Sequence, residues 1–495
     1  MFEIAELGHT VKKSVYKEQV PELRVKLLEV QQQLRECDFP VIILVSGVDG
    51  GGKGEIINLL NEWMDPRYIR TNAFAEPSDE ERERPRFWRY WRTFPAHGYI
   101  AIYVGSWYSD PISQSVYGEL DNIQLKIELA QIKQLERELV ADGALLVKCW
   151  LHLSKETQKK RLKNLEKDPE TRWRVTDLDK KHLKLYDQFI DVAEQVIKET
   201  STGEAPWLIV DGSDIRYSSL TVGQHVLDRV SQHIEHRKNH YPEADPATPP
   251  STISVSQQSL LDTLDLTLSL DKKDYNRELD NYQARLGKLI RKAQQQKRSC
   301  ILVFEGWDAA GKGGSIRRIT RAVDARHYQV IQIAAPSDEE KAHHYLWRFW
   351  RHIPRAGKLT IYDRSWYGRV LVERVEGFAS KQEWMRGYAE IVNFEEALTS
   401  HGILLLKFWL HIDKDEQLKR FKEREQIRYK RYKITEEDYR NRERWADYER
   451  AVNEMVTRTS TQEAPWILVE GNDKRFARIK ILQTFCDKLE EKLSD

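Results

Sequence analysis

Two stretches of this chain have the residue types and spacing needed to hold a chain of phosphates. One is Gly47-Val48-Asp49-Gly50-Gly51-Gly52-Lys53-Gly54, and the other is Gly306-Trp307-Asp308-Ala309-Ala310-Gly311-Lys312-Gly313. In such a loop the glycines let backbone N–H groups turn toward an anion, and the lysine reaches phosphate oxygens. The bland alternative is a glycine-rich turn with a solvent lysine. It is disfavoured because the pattern occurs twice in one register. Gly306 lies 259 residues after Gly47, and the same offset pairs Tyr275 with Tyr16, Pro336 with Pro77, Trp366 with Trp107 and Trp466 with Trp207. One domain has been duplicated in tandem, so the copies can be compared position by position.

The elements around each loop fit that chemistry. Val41-Ile42-Ile43-Leu44-Val45 and Ile301-Leu302-Val303-Phe304 read as buried strands entering the loops. Ile56, Ile57, Leu59 and Leu60, and then Ile316, Ile319 and Val323, have helical spacing after them. A helix starting at the loop adds its partial positive charge to the anion site. Gly54 and Gly313 stand where such loops usually carry the serine or threonine that binds magnesium. Oxygen ligands must then come from elsewhere, and Asp49 and Asp308 each offer one carboxylate. In the second copy Leu359-Thr360-Ile361-Tyr362 reads as a strand ending at Asp363-Arg364, with Arg369 further on. Asp363 is the expected second metal ligand, with Arg364 and Arg369 facing phosphate. Its alternative is a helix cap. At the matching first-copy positions stand Val104, Gly105 and Asp110.

The asymmetry continues beyond the loops. Arg317, Arg318 and Arg321 match Asn58, Leu59 and Glu62. After the apolar run 403–410 comes a basic segment from Gln417 to Lys433, holding Arg420, Arg424, Arg428, Lys430, Arg431 and Lys433. Arg420 and Arg424 are four apart and share a helical face. In nucleoside-monophosphate-type kinases this region is a lid whose arginines close over the transferring phosphate, a task suited to bidentate guanidinium. A solvated charged helix is the alternative. Arg161 matches Arg420, but Leu165 and Pro169 replace Arg424 and Arg428. Catalysis is therefore expected in the C-terminal copy, with the N-terminal copy a degenerate binding or supporting domain.

The motifs Gly306–Gly313, Ala335-Pro336, Tyr345-Leu346-Trp347-Arg348-Phe349-Trp350, the run Tyr362 to Phe378 and Ile434 to Asp438 resemble the family-2 polyphosphate kinases. Within that family, the fused pair of domains is similar to the class that uses polyphosphate to phosphorylate AMP. The resemblance spans nearly the whole chain. It implies two tandem P-loop kinase domains of thymidylate-kinase-like α/β fold, each a parallel sheet flanked by helices with a helical lid. It also implies magnesium (or manganese) and reversible transfer of a terminal phosphoryl group from polyphosphate to AMP, giving ADP. The catalytic set carries over onto Asp308, Lys312, Asp363, Arg364, Arg420 and Arg424. Asp308 and Asp363 are the metal ligands, and Gly306, Gly311, Gly313, Lys312, Arg317, Arg318, Arg321 and Arg369 contact phosphate. Rival readings are an ADP or GDP acceptor, an ATP-dependent nucleotide kinase, and a non-catalytic phosphate-binding module.

Composition sets outer limits. The chain's 79 basic and 78 acidic residues nearly cancel, which leaves no global attraction to nucleic acid or membrane. No apolar run approaches the ~20 residues of a membrane span. Met1 to Glu6 lacks a signal-peptide pattern, and Cys37, Cys149, Cys300 and Cys486 are scattered as reduced thiols would be. A cytoplasmic location is expected. The proline-rich stretch 241–252 reads as a linker, giving domains 1–238 and 259–495 around a connection at 239–258. Trp347 and Trp350 read as core, as do Trp88 and Trp91, and His152 and His411 as interior histidines rather than ligands. The internal duplication leaves homo-oligomer formation open.

Overall fold

The structure is a computed structural model describing residues 1–239, 259–427 and 436–494. The linker beyond Asn239 and the basic residues Arg428, Lys430, Arg431 and Lys433, with Ile434 and Thr435, lie outside the described residues.

Two five-stranded sheets carry the fold, each at the centre of its own compact unit. The first contains β1 (Val41–Gly47), β2 (Ile69–Ala73), β3 (Ile100–Val104), β4 (Leu145–His152) and β5 (Trp207–Asp211), in the order β2-β3-β1-β4-β5. The second contains β6 (Cys300–Gly306), β7 (Tyr328–Gln332), β8 (Leu359–Asp363), β9 (Leu404–His411) and β10 (Trp466–Glu470), in the order β10-β9-β6-β8-β7. Every pairing is parallel. Each strand of the second sheet starts 259 residues after its counterpart, so the duplication is intact at the level of backbone register.

The central strands are continuous apolar runs because helices cover both faces of such a sheet. Val41 to Val45 and Cys300 to Phe304 are buried without interruption. A long helix precedes each sheet, from Lys13 to Leu34 and from Lys272 to Gln295. Trp347, Trp350, Trp88 and Trp91 are buried, as core residues should be. The basic segment is helical from Lys414 to Gln426.

One buried polar unit is repeated in both sheets. Lys407 Nζ donates to Glu395 Oε2 at 2.7 Å and to the Thr459 carbonyl at 2.7 Å, and the Trp366 indole and Tyr367 hydroxyl donate to Glu395 Oε1. Lys148, Glu136, Thr200, Trp107 and Tyr108 repeat it in the first copy. A buried charge must be paired and hydrogen-bonded, and this network meets that need. Its presence in both copies explains why the aromatic scaffold after β3 and β8 outlasts the charges beside it.

Candidate active site

The second-copy loop is shaped by backbone constraints. Gly306 has φ 145°, and a Cβ there would lie 2.4 Å from the Leu410 carbonyl oxygen, so no side chain fits. The helix Lys312–Thr320 starts directly after Gly311. Lys312 Nζ donates to the Gly306 carbonyl at 2.6 Å and the Trp307 carbonyl at 3.3 Å. Burial lowers its proton affinity, the charges of Asp308, Asp363 and Glu305 oppose that, and Arg364 adds to it. The ammonium therefore sits among three carboxylates, on carbonyls that a phosphate can displace.

Asp308 lies at the loop's centre. Its Oδ1 accepts from Arg364 Nη2 at 3.1 Å and its Oδ2 from Asn441 Nδ2 at 3.2 Å. Asp363 ends β8, paired in register with Phe304 of β6. A Cβ on Gly313 would lie 4.0 Å from Asp363 Oδ2. The glycine that replaces the usual hydroxyl residue thus leaves space beside that carboxylate. Among the described residues no three His, Cys, Asp or Glu side chains group as a metal cage. Two carboxylates beside open space suit a hard cation that keeps water and phosphate oxygens as its other ligands. Magnesium fits this donor set.

Beneath the loop, Glu305 is buried and accepts from the Ser365 hydroxyl at 2.8 Å. Burial raises its carboxyl, opposed by the Lys312 charge. Ser46 holds this position in the first copy, a signal the position-by-position comparison offered and our sequence reading passed over.

A cavity of about 980 Å³ opens from the loop, lined by Gly311, Gly314, Arg317, Arg318, Arg321, Arg420, Arg424, Lys474 and Arg478 among others. Among the described residues Glu423 is the sole acidic residue of its lining, against seven cations. Burial lowers the proton affinity of Arg424, Lys474 and Arg478. For Arg478 the neighbouring charges of Arg318 and Arg420 lower it further. Lys474 lies 3.7 Å from Glu423 and Arg420 is paired with Glu416, but the cations outnumber these carboxylates, and such an excess of positive charge attracts a polyanion. Arg317, Arg318, Arg321 and Arg424 were foreseen here. Lys474 and Arg478 were not, because they belong to the last helix, Lys474–Lys492. The internal comparison held the signal, since Ile215 and Ser219 occupy their positions in the first copy.

Two expected roles are corrected. Arg420 is only 2% exposed and does not reach out as a lid arginine. Its Nη1 donates to the Ala309 and Ala310 carbonyls at 3.0 and 2.8 Å, its Nη2 to those of Gly471 and Asn472 at 2.6 and 2.8 Å, and its Nε to Glu416 at 2.7 Å. All its donors are occupied, so it braces the loop backbone. Arg161 does the same in the first copy, donating to the Gly50 and Gly212 carbonyls. Replacing Arg420 with alanine is expected to cost about 3 kcal/mol of stability by orphaning buried acceptors. Arg424→Ala should stay within about 0.5 kcal/mol, and urea unfolding of both variants distinguishes them. Arg369 does not face phosphate either. It lies 3.2 Å from Glu373 and 3.5 Å from Glu383, with its guanidinium over the Tyr345 ring.

In the first copy the corresponding centre is closed. Asp49 Oδ2 is 2.5 Å from His182 Nδ1, and Asp49 Oδ1 is 3.6 Å from Lys53. Burial works against the Asp49 charge, but His182 and Lys53 outweigh it and hold the carboxyl below its ordinary value. Val104 ends β3 where Asp363 ends β8.

A family profile described as Polyphosphate kinase 2 matches residues 10–238 and 269–495. The chain belongs to the polyphosphate kinase 2 family. Both tandem domains are of this family, including the one with Val104 in the place of Asp363. The chain is 51% identical, over 99% of both sequences, to a Pseudomonas aeruginosa PAO1 protein named polyphosphate:AMP phosphotransferase. It is 37% identical to an Acinetobacter johnsonii protein of the same name, over 91% of this chain and 90% of that one. It is also similar to a crystal structure described as polyphosphate kinase 2 from Pseudomonas aeruginosa PA01, with TM-score 0.89 and 48% identity over 100% of both chains. Among the described residues no helix is long and apolar enough to cross a membrane.

Proposed function

We propose that this polyphosphate kinase 2 member transfers the terminal phosphoryl group of inorganic polyphosphate to AMP, reversibly, in its C-terminal copy. The observation that carries the reading is the groove of about 980 Å³ whose cations converge on the Lys312 loop. A polymer with at least one charge per phosphate needs a line of cations, whereas a triphosphate needs only a pocket. The two full-length relatives bearing the name polyphosphate:AMP phosphotransferase support the same donor and acceptor.

In this mechanism the groove arginines and Lys474 hold the donor chain, with its end at the helix Lys312–Thr320. Lys312 exchanges the Gly306 and Trp307 carbonyls for phosphate oxygens. Asp308 and Asp363 would hold magnesium, which would supply charge neutralisation at the transferring phosphoryl group. An AMP phosphate oxygen bonds to the terminal phosphorus while the bridging P–O bond to the chain breaks. The polymer leaves one unit shorter, carrying the negative charge. Phosphate's second ionisation lies near about 6, so the attacking oxygen is already deprotonated and no strong base is needed. Arg364 and Arg424 offset charge on the equatorial oxygens.

Incubation with AMP, long-chain polyphosphate and magnesium, without ATP, tests the reading. ADP should form as the polymer shortens. Silence there with ADP produced from ATP would make this an ATP-dependent nucleotide kinase instead. Removal of divalent ions with EDTA is expected to abolish turnover, and magnesium to restore it. Asp363→Asn should raise the magnesium concentration for half-maximal rate at least about tenfold, since even indirect supports of a metal site are worth that much. A magnesium titration with unchanged midpoint would remove Asp363 from the metal site. All four cysteines are free thiols, and we place the enzyme in the cytoplasm, where such thiols persist.

A further inference from the structure

A second cluster touches Asp308, and none of its members lines the cationic groove. It begins with Asn441, whose Nδ2 donates to Asp308 Oδ2 at 3.2 Å. The Tyr448 hydroxyl lies 3.4 Å from both Asn441 Oδ1 and Glu376 Oε1. The Glu376 side chain is only 8% exposed, yet its charged partners are loosely held. Arg440 Nε is 3.4 Å from Glu376 Oε2 and Arg444 Nη1 is 3.6 Å from Oε1. Strong charge-assisted bonds are about 2.7–2.9 Å. Both arginine side chains are 41% or more exposed, and Arg444 also lies 3.4 Å from Asp447. Two cations are thus parked beside a buried carboxylate, one hydroxyl and one amide away from the proposed metal ligand.

The duplication supplies a control. At the positions of Glu376, Asn441, Arg444 and Tyr448 the first copy has Tyr117, His182, Leu185 and Phe189. There the chain of contacts closes on itself. Tyr117 is 2.8 Å from His182 Nε2, His182 Nδ1 is 2.5 Å from Asp49, and Lys181 sits over the Tyr117 ring at 4.1 Å. These four positions change together with the one that turns Asp363 into Val104. The packing scaffold changes far less. The first copy thus lacks the Glu376 carboxylate and the Arg444 cation, and at the position of Arg440 it keeps a cation, Lys181, turned onto the Tyr117 ring.

We infer that Arg440 and Arg444 receive the phosphate of the acceptor nucleotide, and that Glu376 positions them and restricts the acceptor to a nucleoside monophosphate. The inference rests on the phosphotransfer reading above and deepens it. A monophosphate carries a charge of about −2 near neutral pH. Two arginines match that charge once they leave Glu376. A second phosphate would extend toward a buried carboxylate of like charge, which disfavours a diphosphate acceptor. Polyphosphate, bound by the groove residues, does not meet this group.

Arg444→Leu, which installs the first copy's residue, should raise the KM for AMP roughly 10–100-fold, as expected for a lost charge-assisted bond. The KM for polyphosphate should stay within about twofold, and Arg444→Lys should recover part of the loss. Glu376→Gln should raise kcat/KM for ADP relative to AMP by about tenfold, because the repelling charge is gone. Equal rises in both KM values for Arg444→Leu, or an unchanged ADP-to-AMP ratio for Glu376→Gln, would overturn the assignment. Equilibrium dialysis of AMP without polyphosphate separates this from the broader reading. Wild-type protein that binds AMP more tightly than Arg444→Leu supports the subsite even if it makes no ADP from polyphosphate. Equal binding by the two proteins refutes it.

Discussion

Lys312→Met is expected to remove on the order of a thousandfold of the polyphosphate-dependent rate, and Lys53→Met to leave that rate within about twofold. Both lysines begin a helix at the end of a glycine loop and donate to two loop carbonyls. A count of motif residues would rate them equal. Their surroundings do not. Lys312 is influenced by Asp308, Asp363 and Glu305, with Arg364 close by and the groove cations beyond. Lys53 has Asp49 at 3.6 Å, but that carboxylate is already taken by His182, and Val104 supplies no second one. Arg24, where Gln283 lines the second copy's groove, is paired with Glu62. Charge developing on a transferring phosphoryl group therefore meets preorganised cations in one copy only. Steady-state rates of the two variants decide the matter, with thermal unfolding as a check that each folds. Equal losses would mean that both loops turn over substrate.

The fold was legible because the duplication wrote it twice. Strand against helix is ambiguous for a short apolar run, but a run recurring 259 residues later with the same flanking loop is not. The gathering of Asp308, Lys312, Asp363 and Arg364 around one loop was legible for a related reason. Their chemistry is stated by residue type and their positions by the ends of β6 and β8. The arginines of the basic helix were harder. Arg420 and Arg424 lie on one face, and spacing alone does not say which is covered by the loop. The answer was present in Arg161, which keeps the cation in the copy that has Val104 for Asp363 and braces the same loop there. The same logic correctly assigned the tryptophans to the core.

Arg369 failed in the opposite direction. Its replacement by Asp110 looked like a lost phosphate contact, but its partners Glu373 and Glu383 became Gln114 and Gln124 together with it. An entire ion-pair cluster was exchanged, and a loss read one residue at a time could not reveal that. Lys474, Arg478 and Arg444 were missed because folding, not sequence proximity, brings the final helix and the turn before helix Trp445–Thr459 to the loop.

Arg364→Gly should lower activity by about 10²–10³-fold while leaving stability within about 1 kcal/mol of the parent. Arg364 has φ 66°, a left-handed conformation that costs a residue with a Cβ about 1–2 kcal/mol. The backbone turns the same way in the first copy, where Gly105 has φ 68°. There a Cβ would also lie 2.2 Å from the Phe74 carbonyl oxygen, so the position takes the residue that has none. In the second copy the left-handed turn holds Arg364 against Asp308, 3.1 Å away, and on the proposed mechanism that strain is kept for catalysis. Glycine relieves the strain but widens the unfolded ensemble by about 0.5–1 kcal/mol, and the half-exposed ion pair adds little. The contributions nearly cancel. Arg364→Ala provides the decisive contrast, because it loses the charge and keeps the Cβ. It should be as inactive as the glycine variant and about 1 kcal/mol less stable, the reverse of the order expected at an ordinary strand or helix position. Urea midpoints and steady-state rates of the three proteins test both halves at once. An alanine variant more stable than the glycine one would show that the turn stores no strain, and that Gly105 needs another explanation.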